Sequence, residues 1–254
     1  MAEGCPTPTL RTPLINMVLR GRNNWDQEVA RNLPKRIPMT IDSMKILRKT
    51  LQRNTTIAPF HKALIWSVST LCFWGGLRVG EALSRTSRTI DPLNTLLHDD
   101  LTIFNKKIGG NNVRIINILL KSTKESRADF RGVKIEVFET KTELCPVAAL
   151  LWYRKLLGKT RGGSAAYRVG VGNDGTAYRY ARFNTDLKLL LSSHICYGRV
   201  STHSFRIGLA SLMATRGFSD SDIQAAGRWS SDCFHRYIRL PRLTRCRTAA
   251  ALAA

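Results

Sequence analysis

The apolar run from Leu64 to Leu77 constrains the fold of this 254-residue chain more than any other feature. Ser67, Ser69, Thr70 and the pair Gly75-Gly76 interrupt it, and it is shorter than the roughly 20 apolar residues a bilayer requires. It therefore reads as a buried helix, predicted over Pro59 to Trp74 and preceded by a helix from Ser43 to Arg53 with Thr40 or Asp42 as N-cap. Alternating segments predict three antiparallel strands at Leu101 to Asn105, Val113 to Leu120 and Val133 to Phe138. The first turn is Gly109-Gly110-Asn111-Asn112. Pro146, after Cys145, is well placed at the first position of an amphipathic helix reaching Leu157. Gly158 to Tyr180, rich in glycine with several arginines and tyrosines, reads as a mobile loop. Helices from Asn184 to Ser193, Ser204 to Arg216, Ser219 to Ala226 and Asp232 to Ile238 complete an α+β domain, mostly helical with a small three-stranded sheet. Residues 1–37, rich in Pro, Arg and Asn, read as a basic arm or linker. Residues 38–254 read as the main domain, with a tail from about residue 240.

Charge narrows the partners. Forty Lys and Arg against 18 Asp and Glu leave a formal net charge of +22, which implies a polyanion. DNA, RNA or an anionic membrane would satisfy the balance, and the broken apolar run disfavours the last. Residues 1 to 6 lack the basic-then-apolar order of a secretory signal, so an intracellular location is expected, nuclear in a eukaryote and cytoplasmic otherwise. The six cysteines form no C-x-x-C pair, which suggests neither a zinc site nor a disulfide framework.

Three segments carry chemistry. In Ser201 to Arg239, His203 and Arg206 stand three residues apart, the spacing that puts two helical side chains on one face. Arg offers a permanently charged fork of donors, and His exchanges protons near neutral pH. Tyr237 follows the Gly227-Arg228-Trp229 corner and offers a phenol as nucleophile. Upstream, Phe73 to Leu83 (FWGGLRVGEAL) ends the apolar helix, turns on two glycines and presents Arg78 ahead of Glu81. Between them, Lys121-Ser122-Thr123-Lys124 forms a polar turn that can hold a lysine over a substrate. His61, His98 and His194 have no partner pattern. His235, two residues before Tyr237, falls on a different face from it.

Arg, Lys, His-x-x-Arg and Tyr in this order resemble the tyrosine recombinase (phage integrase) family over about Pro38 to Arg239. GLRVGEAL and the HSFR to GRWSSDCFHRYIR segments carry the likeness, and the latter wording is nearest to Crypton- and DIRS-type mobile-element recombinases. The resemblance implies that Arg78 is the first catalytic arginine, Glu81 the carboxylate orienting it, and His203 and Arg206 the second pair. Tyr237 would be the nucleophile. Lys124 fits the hairpin lysine better than Lys121. The family's His or Trp after the corner glycine falls on Arg228, with Trp229 one step later, and either can donate to a phosphate.

The implied reaction is cleavage of double-stranded DNA through a 3′-phosphotyrosyl link, without ATP, cofactor or metal ion, by a homo-oligomer (a tetramer on DNA) joined through the C-terminal tail. Family members usually carry a helical core-binding domain ahead of the catalytic one, and residues 1–37 would be its remnant. Two alternatives stand beside recombination: a type IB topoisomerase-like nicking and resealing enzyme, and a non-catalytic DNA-binding module derived from a mobile element.

Overall fold

The computed structural model describes residues 36–85, 90–122, 132–158, 164–169, 176–194, 200–229 and 231–239. Helix α1 spans Ile41–Arg53, and Thr40 caps it by accepting a hydrogen bond from the Ser43 N–H. Helix α2, Pro59–Trp74, is buried along Ala63 to Phe73. Its hydroxyls are satisfied internally: Ser69 and Thr70 donate to carbonyls one turn back, and Ser67 bonds the Tyr167 hydroxyl at 3.2 Å. Gly75 and Gly76 end it, the latter at φ +56, and the single turn α3, Val79–Ala82, follows.

A 3-10 turn, His98–Asp100, leads into the antiparallel sheet β1 (Leu101–Ile108), β2 (Asn111–Leu120) and β3 (Val133–Phe138), with β2 central. Ile116, Ile118 and Leu120 alternate inwards and join the core. The β1–β2 turn is tighter than expected. Gly109 and Gly110, both at positive φ, make it alone, so Asn111 and Asn112 pair with Ile108 and Lys107 instead of turning.

Helix α4, Pro146–Leu157, packs against α2. The reading of Gly158 to Tyr180 as a loop is corrected where residues are described. Arg168–Val169 (β4) pairs with Thr176–Ala177 (β5), while Ala165, Ala166, Tyr167, Arg168 and Tyr178 are buried. The tyrosines there serve the core: Tyr167 reaches Ser67, and Tyr178 donates to Asp186, which also binds His61 at 3.0 Å. Helix α5 spans Tyr180–Leu191, starting four residues before the predicted Asn184, and α6 (Ser204–Thr215) and α7 (Asp220–Gly227) follow. The last predicted helix is a 3-10 turn, Asp232–Arg236, ending on Tyr237.

Among the described residues no helix is long and apolar enough to cross a membrane. The basic arm, apart from its last two residues, and the tail from residue 240 lie outside the described residues.

Helix α6 meets the segment entering α1 at Gly208, where a Cβ would overlap the Met39 carbonyl; Met39 N–H donates to Ser204 O at 2.8 Å. Gly208→Ala is therefore expected to destabilise the fold by about 1–3 kcal/mol through overpacking. In a thermal melt this lowers the midpoint by roughly 2–4 °C per kcal/mol, and an unchanged midpoint contradicts the close approach.

Candidate active site

The turn after α2 sets the first arginine. Gly76 lies backbone to backbone against the end of α7, where a Cβ would come within 2.8 Å of the Ala226 carbonyl. Arg78 stands at the N-terminus of α3 and Glu81 folds back on it. The carboxylate accepts from the Arg78 backbone N–H at 2.9 Å and from its Nη1 at 3.0 Å. The other oxygen contact comes from Arg228, whose Nη2 donates to Glu81 Oε2 at 2.9 Å. Arg228 also donates through Nη1 to Gly75 O at 3.0 Å and through Nη2 to Gly76 O at 3.4 Å.

His203 occupies the position before α6, half-buried. Burial and the nearby charges of Arg36, Arg78 and Arg206 hold its pKa below the ordinary imidazole value, so the ring is neutral at pH 7. One turn on, Arg206 is 1% exposed. Its Nη2 donates to the Gly227 carbonyl, its guanidinium lies 4.6 Å from the Trp229 ring centroid, and its Nε and Nη1 are buried without a hydrogen-bond partner. Burial first, then repulsion from Arg78, lowers its pKa to about 10, which leaves it charged at neutral pH. Gly227 is a requirement of this stack: a Cβ there would overlap the Trp229 ring. The Trp229 indole Nε1 is likewise buried without a partner.

Tyr237 follows the 3-10 turn, its ring 5.3 Å from that of Trp229 on an apolar cluster that includes Ala210, Ile223 and Phe234. The same ring lines a cleft of about 920 Å³ whose walls also carry Arg78, Glu81, Lys121 and His203. Arg206 and Trp229 sit behind that wall. Lys124 lies outside the described residues, whereas Lys121 is in the cleft, bound to Asp100 at 2.7 Å and to Pro92 O at 2.9 Å. His235 points away from the cleft and stands 3.5 Å from Asp220.

Sequence reasoning missed Asp100 and Arg85. Asp100 meets Lys121 only because β1 pairs with β2, and no spacing between the two positions signals this. Arg85 reaches the cleft beside Gly80 because α3 is a single turn, too short for a helical pattern to reveal.

The chain matches no protein-family model and no curated protein. Among solved structures it is similar to the XerH site-specific recombinase in a post-cleavage complex with its palindromic difH substrate. That match has a TM-score of 0.59 at 13% identity and covers 87% of this chain and 55% of that one. It is similar to the XerA recombinase at a TM-score of 0.54 and 16% identity, over 88% of this chain and 68% of that one. The Tn1549 transposon integrase, in complex with circular intermediate DNA, matches at a TM-score of 0.50 and 13% identity, over 88% and 69%. The chain thus spans about half the length of the XerH chain. Its mostly helical architecture around a small three-stranded antiparallel sheet is the fold of the tyrosine recombinase catalytic domain.

Proposed function

We propose that this chain breaks and rejoins duplex DNA as a mobile-element recombinase, through a covalent 3′-phosphotyrosyl intermediate. The observation that carries the reading is the convergence of Arg78, His203 and Tyr237 on one cleft, backed by a buried arginine with two unpaired donors. Each unpaired buried N–H costs about 1–3 kcal/mol, so the donors of Arg206 and Trp229 would gain from an anion that reaches them.

Tyr237 Oη attacks the phosphorus as the bond to the 5′ oxygen breaks. Its phenolic proton passes to neutral His203, since an un-ionised phenol is a weak nucleophile unaided. Lys124 protonates the departing 5′ oxygen, with Lys121 as the alternative donor. Arg78 and Arg206, with the Trp229 indole N–H, bind the non-bridging oxygens as their negative charge grows. A 5′-hydroxyl from a partner strand then attacks the phosphotyrosine, restoring a phosphodiester and freeing Tyr237. The link conserves the bond, so no nucleotide cofactor is required. Exchange between two duplexes needs several active sites, and we assign it to a homo-oligomer, a tetramer on DNA, in which the tail from about residue 240 docks on a neighbouring copy.

Two measurements test the reading. On a nicked duplex that loses its leaving strand, the protein is expected to become covalently attached, and Tyr237→Phe to abolish attachment with non-covalent affinity nearly intact. An adduct that persists in the variant removes Tyr237 as nucleophile. On an intact duplex, which keeps the cleaved 5′-hydroxyl end, strand transfer to a second duplex is expected, and resealing of the original duplex alone favours the topoisomerase-like alternative.

The second measurement follows from the lowered pKa of His203. Acidification protonates the ring and removes the base, so attachment at sub-saturating DNA is expected to be flat above about pH 6.5 and to fall with an inflection below it. Stability shifts in the same direction. Between the lowered folded value and the unfolded one the unfolded chain binds more protons, so stability is lost as pH falls through that window. In His203→Gln the acid limb disappears from a lower plateau; an inflection above 6.5, or one that survives the substitution, contradicts the role.

A further inference from the structure

Arg228 is the one residue other than glycine at positive φ among the described residues, at φ 53 and ψ 50. A side-chain-bearing residue holds this left-handed conformation only when its surroundings repay it. Here they do so through the guanidinium, which reaches back more than 145 residues along the chain. It donates to the carbonyls of Gly75 and Gly76 and to Glu81 Oε2, at 3.0, 3.4 and 2.9 Å. Arg228, like Arg206, does not line the cleft, but both of its Nη atoms donate to protein acceptors, whereas Arg206 Nε and Nη1 are buried without a partner among the described residues.

One Arg228 contact is the Glu81 carboxylate, which also binds Arg78. Glu81 is 8% exposed at its side chain and receives Arg78 Nη1 on Oε1, with the Arg78 N–H and Arg228 Nη2 on Oε2. Fork-to-fork pairing of an arginine with a carboxylate is the strongest arrangement open to either group. Arg228 holds Oε2 while Oε1 accepts from Arg78 Nη1, and Arg78 lines the cleft wall. Without Arg228, the carboxylate is free to take Arg78 in a bidentate grip and draw it off the wall.

We propose that Arg228 is a positioning residue, which fixes the Arg78 guanidinium through Glu81 and ties the Gly75-Gly76 turn to the end of α7, instead of donating to the phosphate. This rests on the phosphoryl-transfer reading for its kinetic test but not for its structural one.

The experiment is a double-mutant cycle with Arg228→Met and Glu81→Gln, read as the single-turnover rate of attachment to saturating nicked DNA, with DNA affinity and melting temperature measured alongside. Arg228→Met is expected to slow attachment roughly tenfold or more, and to add less than about threefold in the Glu81→Gln background, because the two act through one contact. Affinity stays nearly unchanged, and Arg228→Lys, which keeps the charge and one donor, recovers part of the rate. Independent, multiplicative losses overturn the proposal. So does a fall in affinity with a salt slope reduced by about one, the mark of a direct phosphate contact.

If the wild-type protein forms no adduct, the function proposed above fails, and the positioning role is then read by NMR. The Arg78 side-chain Nε–H resonance, assigned by its loss in Arg78→Lys, is expected to move in Arg228→Lys; an unmoved resonance overturns the inference. Because Arg228→Lys retains a cation, it serves both readouts even where Arg228→Met unfolds.

Discussion

The Glu81 carboxylate is the point on which the candidate site depends. Three arginines, Arg78, Arg206 and Arg228, lie close enough to disturb one another electrostatically. Two like charges about 4 Å apart repel by roughly 4 kcal/mol at the effective dielectric of a protein surface. Glu81 answers that repulsion directly for Arg78 and Arg228, and does so from a nearly buried position where solvent screens little. By binding residues 78 and 228 together it also joins the turn after α2 to the end of α7. Two separate stretches of chain thereby form one wall.

Arg206 is held differently. Among the described residues it has no carboxylate in contact; one Nη donates to the Gly227 carbonyl and its face lies on Trp229. A cation over an aromatic ring gains about 0.5–2 kcal/mol, far less than full hydration supplies. The guanidinium therefore remains charged and under-satisfied, the condition in which an arriving phosphate gains most. Glycine at 227 permits the stack, and the stack in turn supports the Tyr237 ring. The same few residues thus shape a strongly polar pocket and its apolar floor.

Much of the fold was legible. The bounds of α2 follow from Pro59 at its start and the double glycine beyond Trp74, and the sheet follows from alternation in β2. Residues 164–169 and 176–180 were not legible, because glycine, arginine and tyrosine in one stretch read locally as a loop. Burial of Tyr167 depends on Ser67, a hundred residues away, which no window of sequence contains. At the site, the three-residue spacing joined His203 to Arg206, whereas Tyr237 was grouped with them through the family resemblance; in the structure His203 and Tyr237 line the cleft and Arg206 does not. Arg228 differs: its distance from Tyr237 says nothing of its partners at 75, 76 and 81, so sequence alone left it a phosphate donor beside Trp229. Lys124, the lysine preferred from sequence, lies outside the described residues, while Lys121 is held by Asp100.

In the proposed reaction, the buried guanidinium of Arg206 meets charge that appears only as phosphorus changes its bonding. Comparing Arg206→Ala with the wild type in single-turnover cleavage and in equilibrium DNA binding tests this most directly. Cleavage is expected to slow by about a hundredfold or more while affinity changes by no more than a few fold, since the interaction strengthens in the transition state. Equal losses in rate and affinity would show an ordinary binding residue and contradict the claim.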